Sequence, residues 1–297
     1  MTGPRTAPSK ELGSAMLSSE RAAQAAGVTI HELHGLDGMC EARDLLHRVW
    51  RPAPDNPVMT PELLLVLAHS GSYVVAVQQD GRMIGTCLGL LSTAGLHSHI
   101  AAVDDGARGR SIGFALKLHQ RAWSLGRGIT TITWTYDPLV SRNAYFNLRK
   151  LGAVPTEYLP NFYGAMRDGV NAGTDSDRLL VRWDLTAGPA ARPAPGGGRA
   201  GEPAAPCPPA VVALDIGPDG LPVRGERPGN VSRRSVLVRV PPDIEALRRS
   251  DRAGAATAWR LAVRDVLGGL MAAGQHTVTT FTRDGWYVLS PRLEFDA

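Results

Sequence analysis

Hydrophobic and polar residues along the first 186 positions predict strands that alternate with helices. Two apolar, β-branched runs, 72–79 and 82–91, flank Asp80-Gly81, a dipeptide typical of a tight hairpin. The predicted strands are 28–33, 72–79, 82–91, 96–103, 128–136 and 178–185, and the predicted helices are 37–50, 61–71, 111–125 and 141–151. This order describes an α/β fold built on a mixed α+β sheet.

The pattern breaks at 187–209, where nearly every residue is Ala, Gly or Pro. Such a segment has no large side chain to bury, so we expect a mobile linker between a domain at 28–186 and a C-terminal segment at 210–297. The C-terminal segment is predicted to contain strands at 235–240, 277–282 and 286–289 and a helix over 255–273. This is a small core, and we expect it to pack on the first domain.

Residues 1–27 are rich in Ala, Ser and Arg, contain no apolar stretch typical of a secretory signal, and are expected to form a disordered tail. No run in the sequence approaches the roughly 18 consecutive apolar residues of a membrane helix, so no membrane partner is expected. The three cysteines, Cys40, Cys87 and Cys207, are too few and too far apart for a disulfide framework or a paired zinc site. A cytoplasmic location is the simplest expectation.

Composition narrows the functional classes further. The chain has 297 residues, 43% of them apolar and 20% charged, which is enough to bury a sizeable core. Net charge is only +4 and the basic residues are scattered, so a nucleic-acid partner is not expected. Lysine occurs only at Lys10, Lys117 and Lys150, whereas arginine is abundant.

The most informative stretch joins the predicted strand at 96–103 to the helix at 111–125. It reads Val-Asp-Asp-Gly-Ala-Arg-Gly-Arg-Ser-Ile-Gly over 103–113. Successive backbone N–H groups in such a turn, placed at a helix N-terminus, bind phosphate without any side chain. Gly109 and Gly113 allow close approach, and Arg108 and Arg110 add positive charge. A plain surface turn is the competing interpretation.

This stretch resembles the acetyl-CoA signature of the GNAT acetyltransferase superfamily, an Arg-x-x-Gly-x-Gly-type turn after the fourth strand. The resemblance covers about 28–185. It includes a second motif, formed by Asn143-Ala144 and Lys150-Leu151-Gly152. The phrases "TWTYDPL", "NAYFNLRKLGA" and "PNFYG" resemble those of a poorly characterised subfamily. It implies that the loop amides hold the CoA pyrophosphate and that the preceding strand pairs with the pantetheine arm. The implied acetyl-CoA site consists of Ala101, Ala102, Val103, Arg108, Gly109, Arg110, Ser111, Ile112, Gly113 and Asn143.

Two positions depart from the family pattern. Ser111 stands where the signature has glycine, and its Cβ narrows the approach of a phosphate. Many members carry a tyrosine four residues before the Leu-Gly glycine, where it protonates the CoA thiolate; here that residue is Leu148. Tyr145, one helical turn earlier, could take over the role, solvent could do so, or Tyr145 could be a packing residue beside Phe146.

His97 and His99 lie two positions apart on the strand that leads into the CoA turn, so they face one side of the sheet. A neutral imidazole is suited to removing the proton of an attacking amine, and His99 is nearer the CoA strand. His-x-His is also a metal-ligand spacing, but no third ligand is evident and no metal is expected. Alternatively, His97 and His99 are two ordinary polar residues that line a cleft and have no catalytic role. Four aromatic residues could wall an acceptor pocket or pack in the core: Trp134, Tyr136, Phe162 and Tyr163.

The sequence therefore predicts a GNAT-like fold and transfer of an acetyl group from CoA to an amine of a small molecule. The predicted catalytic residues are His99, His97 and Tyr145. A regulatory or scaffold protein that binds acyl-CoA without turnover is the first alternative, and another reaction of a CoA thioester is the second. Homodimer formation stays open.

Overall fold

A computed structural model describes residues 9–56, 58–166, 168–169, 175–187, 210–226, 234–250 and 253–292. Nearly all of the predicted linker, 188–209, lies outside the described residues. The chain divides into two compact units: the first unit is Met1–Trp134, Arg167–Val170 and Asp184–Thr186, and the second unit is Thr135–Met166, Asn171–Trp183 and Ala187–Ala297. The division thus falls within a predicted strand and not at the linker. No described helix is long and apolar enough to cross a membrane.

Among its described residues, the first unit has four α-helices and the strands between them. Its helices are α1 (Ser9–Ala26), α2 (Leu36–Trp50), α3 (Pro61–His69) and α4 (Ile112–Gly126), and its strands are β1 (Thr29–Glu32), β2 (Tyr73–Gln79), β3 (Arg82–Ser92), β4 (Gly95–Val103) and the first residues of β5 (Thr131–Tyr136). Strands β1 to β4 pair antiparallel with their neighbours in chain order, and β4 pairs parallel with β5. The predicted mixed sheet is confirmed.

The predicted hairpin between β2 and β3 is also confirmed. Asp80 and Gly81 have φ of 50° and 77°, the left-handed conformations that a two-residue hairpin turn requires. On one face of the sheet, α2 and α3 bury an apolar cluster against the strands. Its fully buried members include Met39, Leu45, Leu46, Leu64, Val74 and Ala76.

The prediction of a disordered tail for residues 1–27 is wrong over helix α1, Ser9–Ala26, whereas residues 1–8 lie outside the described residues. The buried residues of α1 are small, with Ala15, Ser19 and Ala26 at spacings of four and seven, so they form one stripe along the helix. Small side chains let α1 lie close to α4; the Leu12 side chain comes within 3.9 Å of the position a Cβ would take at Gly126. Because Ala and Ser carry little hydrophobicity, this stripe gave no clear apolar period in the sequence.

The second unit combines the end of β5 with the C-terminal segment. Its helices are α5 (Ser141–Ala144) with a π-helical continuation (Tyr145–Leu151), α6 (Ile244–Arg249), α7 (Ala253–Val263) and α8 (Gly269–Ala272). Its strands are β6 (Val154–Leu159), β7 (Arg178–Asp184), β8 (Val211–Ile216), β9 (Pro222–Arg224), β10 (Val236–Arg239), β11 (His276–Phe281) and β12 (Trp286–Pro291). Strand β6 pairs antiparallel with β7, and a five-stranded sheet has the order β11-β12-β10-β8-β9. The sequence had not predicted β6, β8 or β9.

A buried carboxylate ties the C-terminal segment to the end of β5 within this unit. Asp137, 6% exposed, accepts two hydrogen bonds from Arg260 at 2.7 and 2.8 Å and one from Arg248 at 2.6 Å. It also accepts from the backbone N–H of Leu139 at 2.9 Å. Burial alone would raise the pKa of Asp137, but the two guanidinium groups outweigh it and hold this pKa well below its ordinary value.

We expect Asp137→Asn to lower the free energy of unfolding by about 3 to 5 kcal/mol, because it leaves two buried guanidinium groups without their counter-ion. Urea unfolding at pH 7 measures the loss. Asp265→Asn, which breaks an exposed pair with Arg224, is the matched control and should cost no more than about 1 kcal/mol. Because the folded pKa of Asp137 is depressed, its contribution is complete above about pH 4 and is lost as the pH falls further. Equal effects of the two variants would contradict a special role for Asp137.

Candidate functional site

Strands β4 and β5 separate soon after they meet. Only Leu96 with Ile132 and His97 with Thr133 are paired, although β4 continues to Val103. The β4 backbone comes close to the β5 backbone at Gly95, where a Cβ would collide with the carbonyl of Thr131. Beyond His97, β4 pairs with β3 on one side only among the described residues. The other edge of β4 is therefore open over the segment where the resemblance implies the pantetheine arm.

A β-bulge lies at the point of separation. The β3–β4 register passes from Gly89 opposite Ser98 to Leu88 opposite Ile100, so His99 is the extra residue. A bulge bends the strand and changes the side to which the following residues point. Ser98 consequently faces α4, whereas Ile100 packs on the α2–α3 side of the sheet.

The loop after β4 leads through a short 3₁₀ turn, Asp105–Ala107, into α4. Within the described chain, the five consecutive amides of residues 109–113 donate no hydrogen bond to a protein acceptor. A Cβ built at Gly109 or Gly113 meets no atom within 4 Å, so there is open space beside the turn at these two residues. Chemically, unpaired N–H groups at the N-terminus of a fifteen-residue helix are able to receive an anion.

Ser111 occupies a position built for glycine. It is the N-cap of α4 with φ 62° and ψ 15°, the left-handed region, and its side chain makes no capping hydrogen bond. Gly109, two residues earlier, has φ +82°. The departure from the signature thus falls on a backbone conformation that costs a non-glycine residue about 1 kcal/mol.

The two loop arginines already have protein partners. Arg108 forms an ion pair with Asp105 at 2.8 Å, and both side chains are more than half exposed. Arg110 donates to Oε1 of Gln79 at 2.7 Å and to the carbonyl of Ala26 at 3.3 Å. Arg110 therefore fastens the end of α1 to the end of β2, and in this arrangement the anion site consists of backbone amides.

His97 and His99 lie side by side, with ring centroids 6.4 Å apart. Nδ1 of His97 shares a hydrogen bond with Oγ1 of Thr133 at 3.1 Å, which ties His97 to β5. The His99 side chain makes no hydrogen bond within the described chain, and the residue is only partly exposed to solvent. Partial burial lowers the pKa of both imidazoles, and His99 and Lys117 lower that of His97 further. Both rings are therefore neutral at pH 7.

Sequence reasoning missed a buried polar cluster on the α4 side of the sheet. Lys117 donates to Oγ of Ser98 at 2.8 Å and to Oε1 of Gln120 at 3.2 Å, and its Nζ lies 3.9 Å from the centre of the Trp134 ring. Gln120 in turn contacts the thiol of Cys87. A signal existed in the sequence, because Lys117 and Gln120 are polar residues three apart that lie among the apolar residues of the inner face of α4.

The remaining candidates belong to the second unit. Tyr145 accepts a hydrogen bond from Nε of Arg283 at 3.2 Å, which lowers the pKa of its hydroxyl. Leu148, at the position of the family tyrosine, is buried, and Asn143 is exposed. Tyr136 is buried and bonded to Tyr287, whereas Phe162 and Tyr163 are exposed. Among the described residues no cluster of His, Cys, Asp or Glu could hold a metal ion.

The hairpin, the diverging strands and the glycine-containing turn into α4 occur in the order that the resemblance implied. The described chain thus has the mixed α/β architecture that the sequence predicted. No protein-family model matches the sequence, and neither does any curated protein.

Solved acetyltransferase structures align with about half of the chain. The ribosomal-protein-S18-alanine N-acetyltransferase of Escherichia coli aligns over 54% of this chain and 96% of its own, with 18% identity and a TM-score of 0.42. A GNAT family acetyltransferase from Elizabethkingia anophelis with acetyl-CoA bound aligns over 53% and 98%, with 15% identity and a TM-score of 0.41. Aminoglycoside 6'-acetyltransferase type Ii aligns over 54% and 99%, with 18% identity and a TM-score of 0.43.

We expect Ser111→Gly to leave the free energy of unfolding unchanged or to raise it by up to about 1 kcal/mol, because glycine adopts the left-handed conformation without strain. Urea unfolding measures the change. The matched control is Ser14→Gly in the middle of α1, where the same substitution should cost about 0.5 to 1 kcal/mol. A loss at Ser111 as large as that at Ser14 would show that the left-handed N-cap carries no strain.

Proposed function

We propose that this protein is an acyltransferase that moves an acetyl group from CoA to an amine of a small molecule. The observation that carries the proposal is the run of five unpaired amides at 109–113, directly after a strand whose edge is open. The amides would hold the pyrophosphate, and the open edge of β4 would pair with the pantetheine arm through its backbone. In this way phosphate and thioester are bound by one continuous stretch of chain.

The chemistry is a direct transfer. The amine nitrogen would attack the carbonyl carbon of the thioester, a backbone N–H of β4 would stabilise the oxyanion, and the carbon–sulfur bond would break to release CoA thiolate. His99 would take the proton that the amine loses, since its ring is neutral, partly exposed and not bound to another residue in the described chain. Tyr145 or solvent would return a proton to the thiolate.

A thiol-release assay over amines, aminoglycosides, amino acids and peptides identifies the acceptor. Release of CoA that depends on an added amine supports the proposal. Release without any acceptor would point to hydrolysis or another reaction of the thioester. Tight binding of acetyl-CoA with no release under any condition would instead favour a regulatory acyl-CoA-binding protein.

We expect Gly113→Glu to weaken acetyl-CoA binding by at least about tenfold, because it places a carboxylate beside the amides that would receive the phosphates. The substitution is well suited to the test: Gly113 has an ordinary φ, its Cβ meets open space, and an acidic residue in the first turn favours the helix. Gly13→Glu in α1, also in open space, adds the same charge elsewhere and should leave the affinity unchanged. Unchanged affinity in a folded Gly113→Glu variant, measured by calorimetry, would remove this loop as the CoA site.

The pH profile of kcat/KM tests the proton-transfer groups once an acceptor is known. Because partial burial lowers the pKa of His99, we expect an acidic limb below about pH 6.5. In His99→Ala this limb should disappear and the rate should fall by roughly 10²-fold. His97→Ala is the control on the same strand and should keep the limb. Tyr145→Phe identifies the group that protonates the CoA thiolate. If the variant loses the basic limb of the pH profile, that group is Tyr145, and if the basic limb is unchanged, the thiolate is protonated by solvent.

A further inference from the structure

Lys117 lies where β4 and β5 begin to separate. The last paired residues are His97 on β4 and Thr133 on β5. Ser98 and Trp134 are the next residues on each strand, and Lys117 contacts both: its Nζ donates to Oγ of Ser98 at 2.8 Å and lies 3.9 Å from the centre of the Trp134 ring. One side chain from α4 therefore joins the two strands at the vertex of their divergence.

The Lys117 ammonium has no acidic partner. Within the described chain no carboxylate comes within ion-pair distance of Lys117, and its other hydrogen bond goes to the neutral amide of Gln120. Burial in these surroundings lowers the pKa of Lys117 to about 8. Lys117 is partly buried, and an ammonium that is withdrawn from water without a counter-ion loses solvation free energy.

The other titratable groups on this side of the first unit lie on strands β2, β3 and β4 and on α4 itself. Cys87 on β3 is a buried thiol whose pKa burial raises. His97 and His99 on β4 have lowered pKa values, and burial raises the pKa of Tyr73 on β2 well above its ordinary value. The pKa of His119, on α4 itself, is also lowered, chiefly by burial. Between pH 7 and 9 Lys117 is thus the group of this set that changes charge.

We infer that Lys117 is a positioning residue, whose ammonium fixes the spacing of β4 and β5 where the acyl-bearing arm of acetyl-CoA enters. The inference rests on the proposed function. Ser98 immediately precedes the bulged His99, so the bond from Lys117 also fixes the bulge that turns β4. The contact with β5 depends on charge, because a neutral amine is attracted to the face of an indole ring much more weakly than an ammonium is. Loss of the proton would therefore weaken the contact between Lys117 and Trp134 while leaving the loop at 109–113 unchanged.

Two probes separate the arm from the phosphates. Acetyl-CoA occupies both the loop and the space between the strands, whereas adenosine 3′,5′-bisphosphate carries phosphate and no pantetheine arm. In calorimetric titrations of the wild-type protein, we expect acetyl-CoA affinity to fall by about tenfold as the pH rises through about 8, and adenosine bisphosphate affinity to stay within about twofold.

Three variants complete the test. Lys117→Met should bind acetyl-CoA about tenfold more weakly at every pH from 7 to 9 and adenosine bisphosphate normally. Lys117→Arg keeps the charge and should bind acetyl-CoA well with no change near pH 8, since arginine does not titrate there. Lys10→Met removes an exposed lysine from α1 and should behave as the wild type.

The outcomes distinguish this inference from the proposed function. A wild-type protein that binds neither probe at pH 7 would contradict the acyl-CoA site itself. Normal acetyl-CoA binding that is independent of pH, together with unaltered binding in Lys117→Met, would overturn the role of Lys117 alone. Equal weakening of both probes by Lys117→Met would assign the residue to general stability. If Lys117→Met does not fold, the pH titration of the wild-type protein with the two probes still tests the role of Lys117. Acetyl-CoA affinity that does not fall near pH 8 would then overturn it.

Discussion

The candidate site depends on one constraint: β4 has to be paired with β3 along its length and with β5 over only two residues. Gly95 lets the β4 and β5 backbones come together, and the bulge at His99 then bends β4 at the point where pairing ends. The open edge that results leads straight into the loop whose amides are unpaired. Both features are therefore made by backbone groups.

The second unit is organised by a different interaction, the buried carboxylate of Asp137. Arg248 and Arg260 are brought to it by α6 and α7, so residues more than a hundred positions apart share one polar centre. Gly268 makes close packing possible nearby, since a Cβ there would lie 3.2 Å from the Tyr158 ring. An ion cluster of this kind stabilises little by itself, but it strongly disfavours any arrangement that leaves one partner unpaired. The C-terminal segment and residues 135–166 thus belong to one compact unit.

The sequence predicted the elements whose signal is local. The Asp80-Gly81 hairpin, the start of α4 and the β-branched β5 all follow from neighbouring residues, and the structure confirms them. Three features escaped because their signal in the sequence is weak, absent or spread over distant positions. The stripe on α1 consists of Ala and Ser, the His99 bulge leaves no compositional trace, and the arginines around Asp137 are far apart in the chain. Lys117 could have been found, because a lysine on the apolar face of a helix has to be buried with polar partners.

The electrostatics of the loop follow from the arginines that surround it. Asp104 and Asp105 lie directly beside the anion site and would repel a phosphate, but Arg82 pairs with Asp104 and Arg108 with Asp105. The arginines thus neutralise the loop's own acids. Arg110 has a different task, since it links the last carbonyl of α1 to the β2 end of the hairpin. The α1 helix is therefore part of the support of the loop, and the positive charge at the start of α4 comes from its unpaired amides and the helix dipole.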